Sequence, residues 1–349
     1  MPTCFKCGTE LQVNEEGVAP VLCDRCAGRA TSRAQRGMSI GSMTGYPVTI
    51  TLMAICIAVY LGDLLTGGWL TEWGGNAGSL TLSGQYWRLL TAAFVHANLI
   101  HIAFNMWCLY SLGRVSERLF GRIPTLLLYL LTGVGGSLLS LAYQPTRFSV
   151  GASGAIFGLA GAILIGVKFG DLEISSGEKR SLFGSLVFFI GINFTMGIGG
   201  NTDNMAHLGG FISGLIIGLP MATSFSASKT GAVIRTAILT AASLLLLLAG
   251  RELVTLHGHE SRMKVARSAT YVNDLPGAIS VLERDTASGH TSADAYSLLG
   301  NIYEATGQRE KAILAYQRAV ALDPGDQNAA EALNELTGKE TPKAPPSKQ

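Results

Sequence analysis

Long charge-free apolar stretches alternate along this chain with shorter segments that carry its charge. The first runs from about Pro47 to Leu65. It is followed by Thr66 to Tyr86, a loop containing Trp69, Trp73, Gly74 and Gly75 that is too polar to span a bilayer but suited to its interface. Further runs cover Leu89 to Gly113, Ile123 to Thr146, Phe148 to Val167, Ser181 to Thr202, and Asn204 to about Met221. Each comes close to the roughly 20 residues that a membrane-crossing helix needs. A seventh, Thr236 to Gly250, reaches that length if 231–234 join it and Arg235 snorkels, so a last span is expected over 231–250. The pattern predicts an all-α polytopic membrane protein: a six-helix core over 47–221 and a seventh transmembrane helix.

Composition agrees. The 349 residues are 48% hydrophobic and 14% charged, against about 25% charged in soluble domains. A net charge of +2, with no basic block interleaved with aromatics, points away from nucleic acid. The amino terminus has no apolar signal-peptide core, so insertion is expected through the first helix with nothing removed. Basic residues fall on alternate loops: Arg114, Arg118 and Arg122, then Lys168, Lys179 and Arg180, then Lys229 and Arg235. Together with Arg29, Arg33 and Arg36 ahead of the first helix, they place the amino terminus in the cytoplasm. The expected location is a bacterial plasma membrane. If the seventh helix spans, the tail lies outside; Arg251, Arg262, Lys264 and Arg267 argue mildly for the other side.

Both ends carry appendages. Cys4-x-x-Cys7 and Cys23-x-x-Cys26 offer four thiolates from two tight turns, the shell of a closed structural zinc site. The alternative is two redox pairs or unliganded thiols. A segment as small as 1–37, ribbon and basic linker together, has no core to bury, so folding and zinc binding should be coupled. Thiolates also imply a reducing compartment. Cys56 and Cys108 sit inside apolar runs, and no disulfide framework is expected. At the other end, Ala295 to Tyr303 followed by Gly307, Ala312, Tyr316, Ala319 and Pro324 resembles a tetratricopeptide repeat. Shifting by that family's period of about 34 residues sets Gly277-Ala278-Ile279 under Lys311-Ala312-Ile313, a degenerate repeat before it. Repeats are expected over 259–338, with Asn328 to Leu336 as a polar capping helix and a disordered tail over 339–349. So few repeats need a protein partner or dimerisation to be firm.

Gly151-Ala152-Ser153-Gly154 heads a charge-free run, so its glycine-flanked serine sits at membrane depth. Read alone it is as much a packing motif as a nucleophile. Partners change that balance. His96, His101 and Asn105 in the second run, and His207 in the sixth, are polar groups expensive in lipid and are functional candidates for that reason. His101 and Asn105 are four apart and share a helix face, as do Ser153 and Phe157. Gly210, Gly214 and Gly218 form a small-residue stripe that lets the His207 helix approach another closely. If that other helix carries Ser153, the imidazole can take the hydroxyl proton.

Trp87-Arg88, His96, His101, Asn105, Gly151-Ala152-Ser153-Gly154 and Ala206-His207 with Gly210 together resemble the rhomboid family of intramembrane serine proteases. The likeness covers 47–221 and misses no signature position. It implies a Ser153–His207 dyad, with an oxyanion held by the Ser153 amide and the side chains of Asn105 and His101. It further implies support from His96 and Gly151, a Phe157 ring that orients His207, and a structural role for Trp87-Arg88. Asp203 is expected as an exposed helix cap rather than a third catalytic member. The implied substrates are transmembrane or membrane-tethered proteins, cut without any catalytic metal or cofactor; zinc is expected only at Cys4, Cys7, Cys23 and Cys26. The competing reading is a membrane adaptor that binds client helices without cutting them, against which the intact dyad speaks.

Overall fold

The computed structural model describes residues 3, 9–10, 45–170, 175–196, 202–222, 229–287 and 292–338. The chain divides into two compact units, Met1–Pro47 and Val48–Gln349. In the first, Thr3 and Glu10 form an isolated antiparallel bridge. The cysteines expected to bind zinc, Cys4, Cys7, Cys23 and Cys26, lie outside the described residues, as do Arg29, Arg33, Arg36 and the tail 339–349.

From Pro47 onward the chain is mainly helical. In chain order the helices are α1 (Pro47–Leu65), α2 (Trp69–Gly74), α3 (Gly78–Leu82), α4 (Arg88–Thr91), α5 (Leu99–Phe120), α6 (Arg122–Tyr143), α7 (Ser153–Phe169), α8 (Ser176–Met196), α9 (Asn204–Ala222) and α10 (Lys229–Tyr271). The tail adds α11 (Leu275–Ala287), α12 (Ala293–Ala305), α13 (Arg309–Leu322) and α14 (Gln327–Thr337). Two short strands, β1 (Asn76–Ala77) and β2 (Phe148–Ser149), pair antiparallel.

Two apolar runs are not helical throughout. The run expected as one helix from Leu89 to Gly113 is the short α4, an irregular stretch, and then α5, which begins where the Asn98 side chain accepts from the His101 amide at 2.9 Å. The helix then continues past Gly113 through Arg114, Glu117 and Arg118. Its buried Glu117 carboxylate has a use there: it accepts from the Thr49 amide and hydroxyl, both at 2.6 Å, and so satisfies the first turn of α1. Gly121, at φ +91°, ends α5. The run expected to begin at Phe148 starts instead as β2, and its helix opens only at Ser153.

By length and composition, four stretches among the described residues can cross a membrane: Pro47–Leu65, Arg122–Tyr143, Asn204–Ala222 and Thr236–Tyr271. Of the other expected spans, α7 has 17 residues, α5 carries Arg114, Glu117 and Arg118, and α8 begins with Glu178, Lys179 and Arg180. The last apolar run does not stop at Gly250; α10 is one helix of 43 residues that reaches into the repeat region. Gly250 packs near Leu138 of α6, where an added Cβ would stand 3.6 Å from Leu138 Cδ2. Further along, the fully buried Asp285 of α11 binds His259 Nδ1 at 2.7 Å and Arg262 Nε at 2.6 Å, fastening the end of α10 to the repeats.

Among the described residues there are two cores. One gathers Leu52, Cys56, Leu109, Leu128, Tyr129, Ile156, Leu159 and Ile163 between α1, α5, α6 and α7. The other holds the tail together through Ala278, Leu282, Ala295, Leu299, Ala312, Tyr316 and Ala319. Gly300 belongs to it, because any Cβ there would come 2.6 Å from the Tyr316 ring.

Candidate active site

Ser153 is the first residue of α7, with Ala152 as its N-cap. The first amides of a helix have no carbonyl one turn behind them, so the Ser153 N–H has no partner within its own helix. The approach to it is set from outside the helix. The Gly151 amide donates to the Ala92 carbonyl at 2.9 Å, and the neighbouring Ala93 carbonyl accepts from the buried Tyr129 hydroxyl at 2.9 Å. Gly151 has φ +118°, a conformation glycine adopts without cost. A Cβ there would lie 2.7 Å from the His101 ring and 3.6 Å from Asn105 Nδ2. The backbone before the serine and the two polar side chains of α5 are therefore in contact only because residue 151 has no side chain.

Those two side chains come from the face their spacing predicts. Asn105 is buried, and its Nδ2 donates to the His101 carbonyl at 3.1 Å. His96, also buried, precedes the helix rather than standing at its start; its Nε2 is 3.5 Å from the Ala152 amide, and its ring meets His101 edge-on at 5.3 Å.

His207 arrives on α9, whose glycines match small residues of α7 in steps of one turn. A Cβ at Gly210 would collide with the Gly154 carbonyl, one at Gly214 would come 2.9 Å from Gly158 Cα, and one at Gly218 would come 2.7 Å from Ala162 Cα. The two helices thus run parallel at backbone contact, in the register 154 to 210, 158 to 214 and 162 to 218. The His207 ring, 4% exposed, lies flat on Phe157 with centroids 4.3 Å apart and planes 12° apart. Phe157 is one turn from Ser153 on the same face of α7, so the stack sets the His207 ring against the face that carries the serine. Phe194 of α8 closes a second side, 5.1 Å from Phe157 and 6.2 Å from His207. His207 Nδ1 is buried without a hydrogen-bond partner among the described residues.

Asp203 caps α9 by accepting from the Ala206 amide at 3.0 Å, but it is enclosed rather than exposed. Its other oxygen accepts from the Ser140 hydroxyl at 2.5 Å and faces Arg147 Nε at 3.6 Å, because the end of α6 and the turn before β2 fold over it. Arg88 is buried as well. It donates from Nη1 to the carbonyls of Glu72 (2.6 Å) and Gly75 (2.7 Å) and from Nε to Gln85 Oε1 (2.7 Å), which pins the loop after α1. Trp87 stacks on Trp73 at 5.8 Å, and Trp73 on Trp69 at 6.2 Å. That loop reaches the serine through β1: Asn76 pairs with Ser149 and Ala77 with Phe148, and Gly151 lies two residues beyond Ser149. Phe194, Tyr129 and Glu117 had no signal in the sequence beyond being an aromatic or charged residue in an apolar run.

Comparison with known proteins adds a family. A rhomboid domain profile matches residues 83–224 and a tetratricopeptide repeat profile residues 293–326. Rhomboid protease GluP of Bacillus subtilis (strain 168) is 31% identical over 294 residues, 80% of this chain and 55% of that protein. RHOMBOID-like protein 1 of Arabidopsis thaliana is 42% identical over 134 residues, 38% of this chain and 34% of the relative. Rhomboid protease AarA of Providencia stuartii is 30% identical over 207 residues, 51% of this chain and 73% of the relative. The chain thus spans about half of GluP and a third of the plant relative.

Proposed function

The chain belongs to the rhomboid family, and from that membership and the geometry around Ser153 we propose that it is an intramembrane serine endopeptidase that cuts transmembrane or membrane-tethered proteins. The observation that carries this reading is the stack of His207 on Phe157, one turn from Ser153, across two helices at backbone contact. A hydroxyl is a poor nucleophile until a base removes its proton. His207 takes that proton as Ser153 Oγ bonds to the scissile carbonyl carbon. The carbonyl electrons move to an oxyanion held by the Ser153 amide, His101 and Asn105. As the C–N bond breaks, His207 returns the proton to the departing amine, and water, deprotonated by the same ring, then releases the acyl group. Each oxyanion donor is worth about 10²- to 10³-fold in rate. Asp203 is engaged with Ser140, Ala206 and Arg147, so aromatic packing, not a carboxylate, orients the base.

The membrane arrangement belongs to the same proposal. The protein is an integral membrane protein, mostly helical. Its rhomboid core over 47–221 uses α1, α5, α6, α7, α8 and α9 as six spans, and α10 supplies the seventh. The basic ends of α5 and α6 (Arg114, Arg118, Arg122) mark the cytoplasmic side, so Ser153, near the far end of α6, opens outward. The repeats share that outer side: α10 follows α6 outward past Leu138, and a Cβ at Gly84, in the loop after α3, would meet Arg284 of α11 at 3.4 Å. There the repeats are placed to bind partner proteins or the soluble parts of substrates. The Cys4, Cys7, Cys23 and Cys26 ribbon would fold around zinc on the cytoplasmic side.

The test is cleavage of a membrane-spanning substrate in proteoliposomes, together with labelling by a fluorophosphonate. Ser153→Ala and His207→Ala should each abolish cleavage, and Ser153→Ala should abolish labelling. Cleavage unchanged in either variant would overturn the assignment.

A further inference from the structure

One cavity lies away from Ser153 and His207. It opens between α3, α6 and α10 with a volume of about 600 Å3, and its walls include Leu82, Leu131, Val134, Leu138 and Leu246. Arg251 is the one charged residue that lines it. The Arg251 side chain has no hydrogen-bond or ion-pair partner among the described residues.

Its dimensions identify an occupant. The lining runs from Leu131 to Leu141 on α6 and from Ser243 to Thr255 on α10, about 15 to 18 Å at helical rise. That is one leaflet of a hydrocarbon core about 30 Å thick. An apolar groove of that length, with one cation among its lining residues, suits the acyl chain of an anionic lipid. Arg251 stands toward its outer end. The preceding Gly250 packs near Leu138, five residues before α6 ends at Tyr143, which is about 7 to 8 Å inside the helix end. From that depth a guanidinium on its flexible stem reaches headgroup level. There the exposed guanidinium meets the anionic groups of the lipid surface.

We propose that this groove holds one acyl chain of a phospholipid from the leaflet on the Ser153 side, with the lipid phosphate bound by Arg251. The site also touches the catalytic frame. Leu82 of α3 is part of its wall, α3 follows β1 directly, and β1 pairs with the strand that leads into Gly151. A bound lipid therefore braces the element that positions the serine loop.

The full chain in nanodiscs, with phosphatidylglycerol carrying a photoreactive acyl chain, tests this directly. Crosslinks should concentrate on 131–141 and 243–255 relative to the lipid-facing surface of α1. Leu246→Trp and Val134→Trp, which fill the groove, should each remove them while labelling of α1 persists and shows the protein still folded. Arg251→Gln should lower phosphatidylglycerol labelling in the groove about five-fold and leave labelling by photoreactive diacylglycerol, which lacks the phosphate, unchanged. Even labelling over all lipid-facing helices would overturn the proposal. So would tryptophan variants that label like the parent, an equal effect of Arg251→Gln on both lipids, or a polypeptide crosslinked in the groove.

Discussion

Replacing Gly210 by alanine puts a single methyl group where the helices of Ser153 and His207 touch. A Cβ there stands 2.7 Å from the Gly154 carbonyl carbon and 3.2 Å from its Cα, and it collides with the carbonyl oxygen itself. Carbon contacts settle at about 3.5 to 4.0 Å, and the obstacle is backbone, which cannot rotate away. The helices must part by roughly 1 Å. A misplacement of that size typically costs about 10²-fold in rate, equivalent to about 2.7 kcal/mol of barrier. Overpacking should take about 1–3 kcal/mol from stability, so the assay is run where the variant is still folded. The kcat/KM for a membrane-spanning substrate in proteoliposomes should fall about 100-fold for Gly210→Ala and further for Gly210→Val. Gly184→Ala, where an added Cβ meets nothing within 4 Å, serves as the control for a methyl added to a membrane helix. Activity of Gly210→Ala within two-fold of the parent, or an equal loss in Gly184→Ala, would refute the idea that this register sets the distance between Ser153 and His207.

The same geometry dictates three other outcomes, and the cysteine spacing near the amino terminus a fourth. Gly151→Ala should lose at least about 10²-fold in cleavage with an unchanged helical circular dichroism spectrum, since both its φ of +118° and the His101 ring 2.7 Å from the new Cβ oppose a side chain. Phe157→Leu removes a stack worth about 0.5–1.5 kcal/mol; kcat should fall about two- to ten-fold with KM little changed, and an effect confined to KM would count against an orienting role. Arg88→Ala strands the carbonyls of Glu72 and Gly75. With charge-assisted bonds worth about 1.5–3 kcal/mol each, the thermal midpoint should drop by several degrees in a detergent melt, and Arg88→Lys should recover only part of it. Residues 1–37, expressed alone, should carry one zinc ion in a native mass spectrum and unfold on chelation; a metal-free mass in the presence of zinc would exclude the ribbon.

The sequence exposed the site more readily than it exposed the helix ends around it, and the cause is physical. His101 and Asn105, and Ser153 and Phe157, are local pairs: helical spacing alone puts each on one face, and the structure brings both faces to the same place. Gly210, Gly214 and Gly218 were legible as a stripe because small residues in a membrane helix imply a close neighbour. Which neighbour they meet depends on the match with Gly154, Gly158 and Ala162, which no single run displays. Hydropathy failed where an apolar segment satisfies its backbone from a distance. Ala92 and Ala93 look like helix, yet their carbonyls are taken by Gly151 and Tyr129, residues far along the chain, so α5 starts only at Leu99. It failed again past Gly113, where the run was expected to end: the helix continues, and its Glu117 carboxylate closes the first turn of α1. The irregular stretch is the more telling case. A continuous helix through Ala92 and Ala93 would commit their carbonyls to its own ladder and leave the Gly151 amide unpaired. Breaking the helix there frees one carbonyl to hold the backbone two residues before Ser153, so the chain that leads into α7 is anchored from outside its own helix.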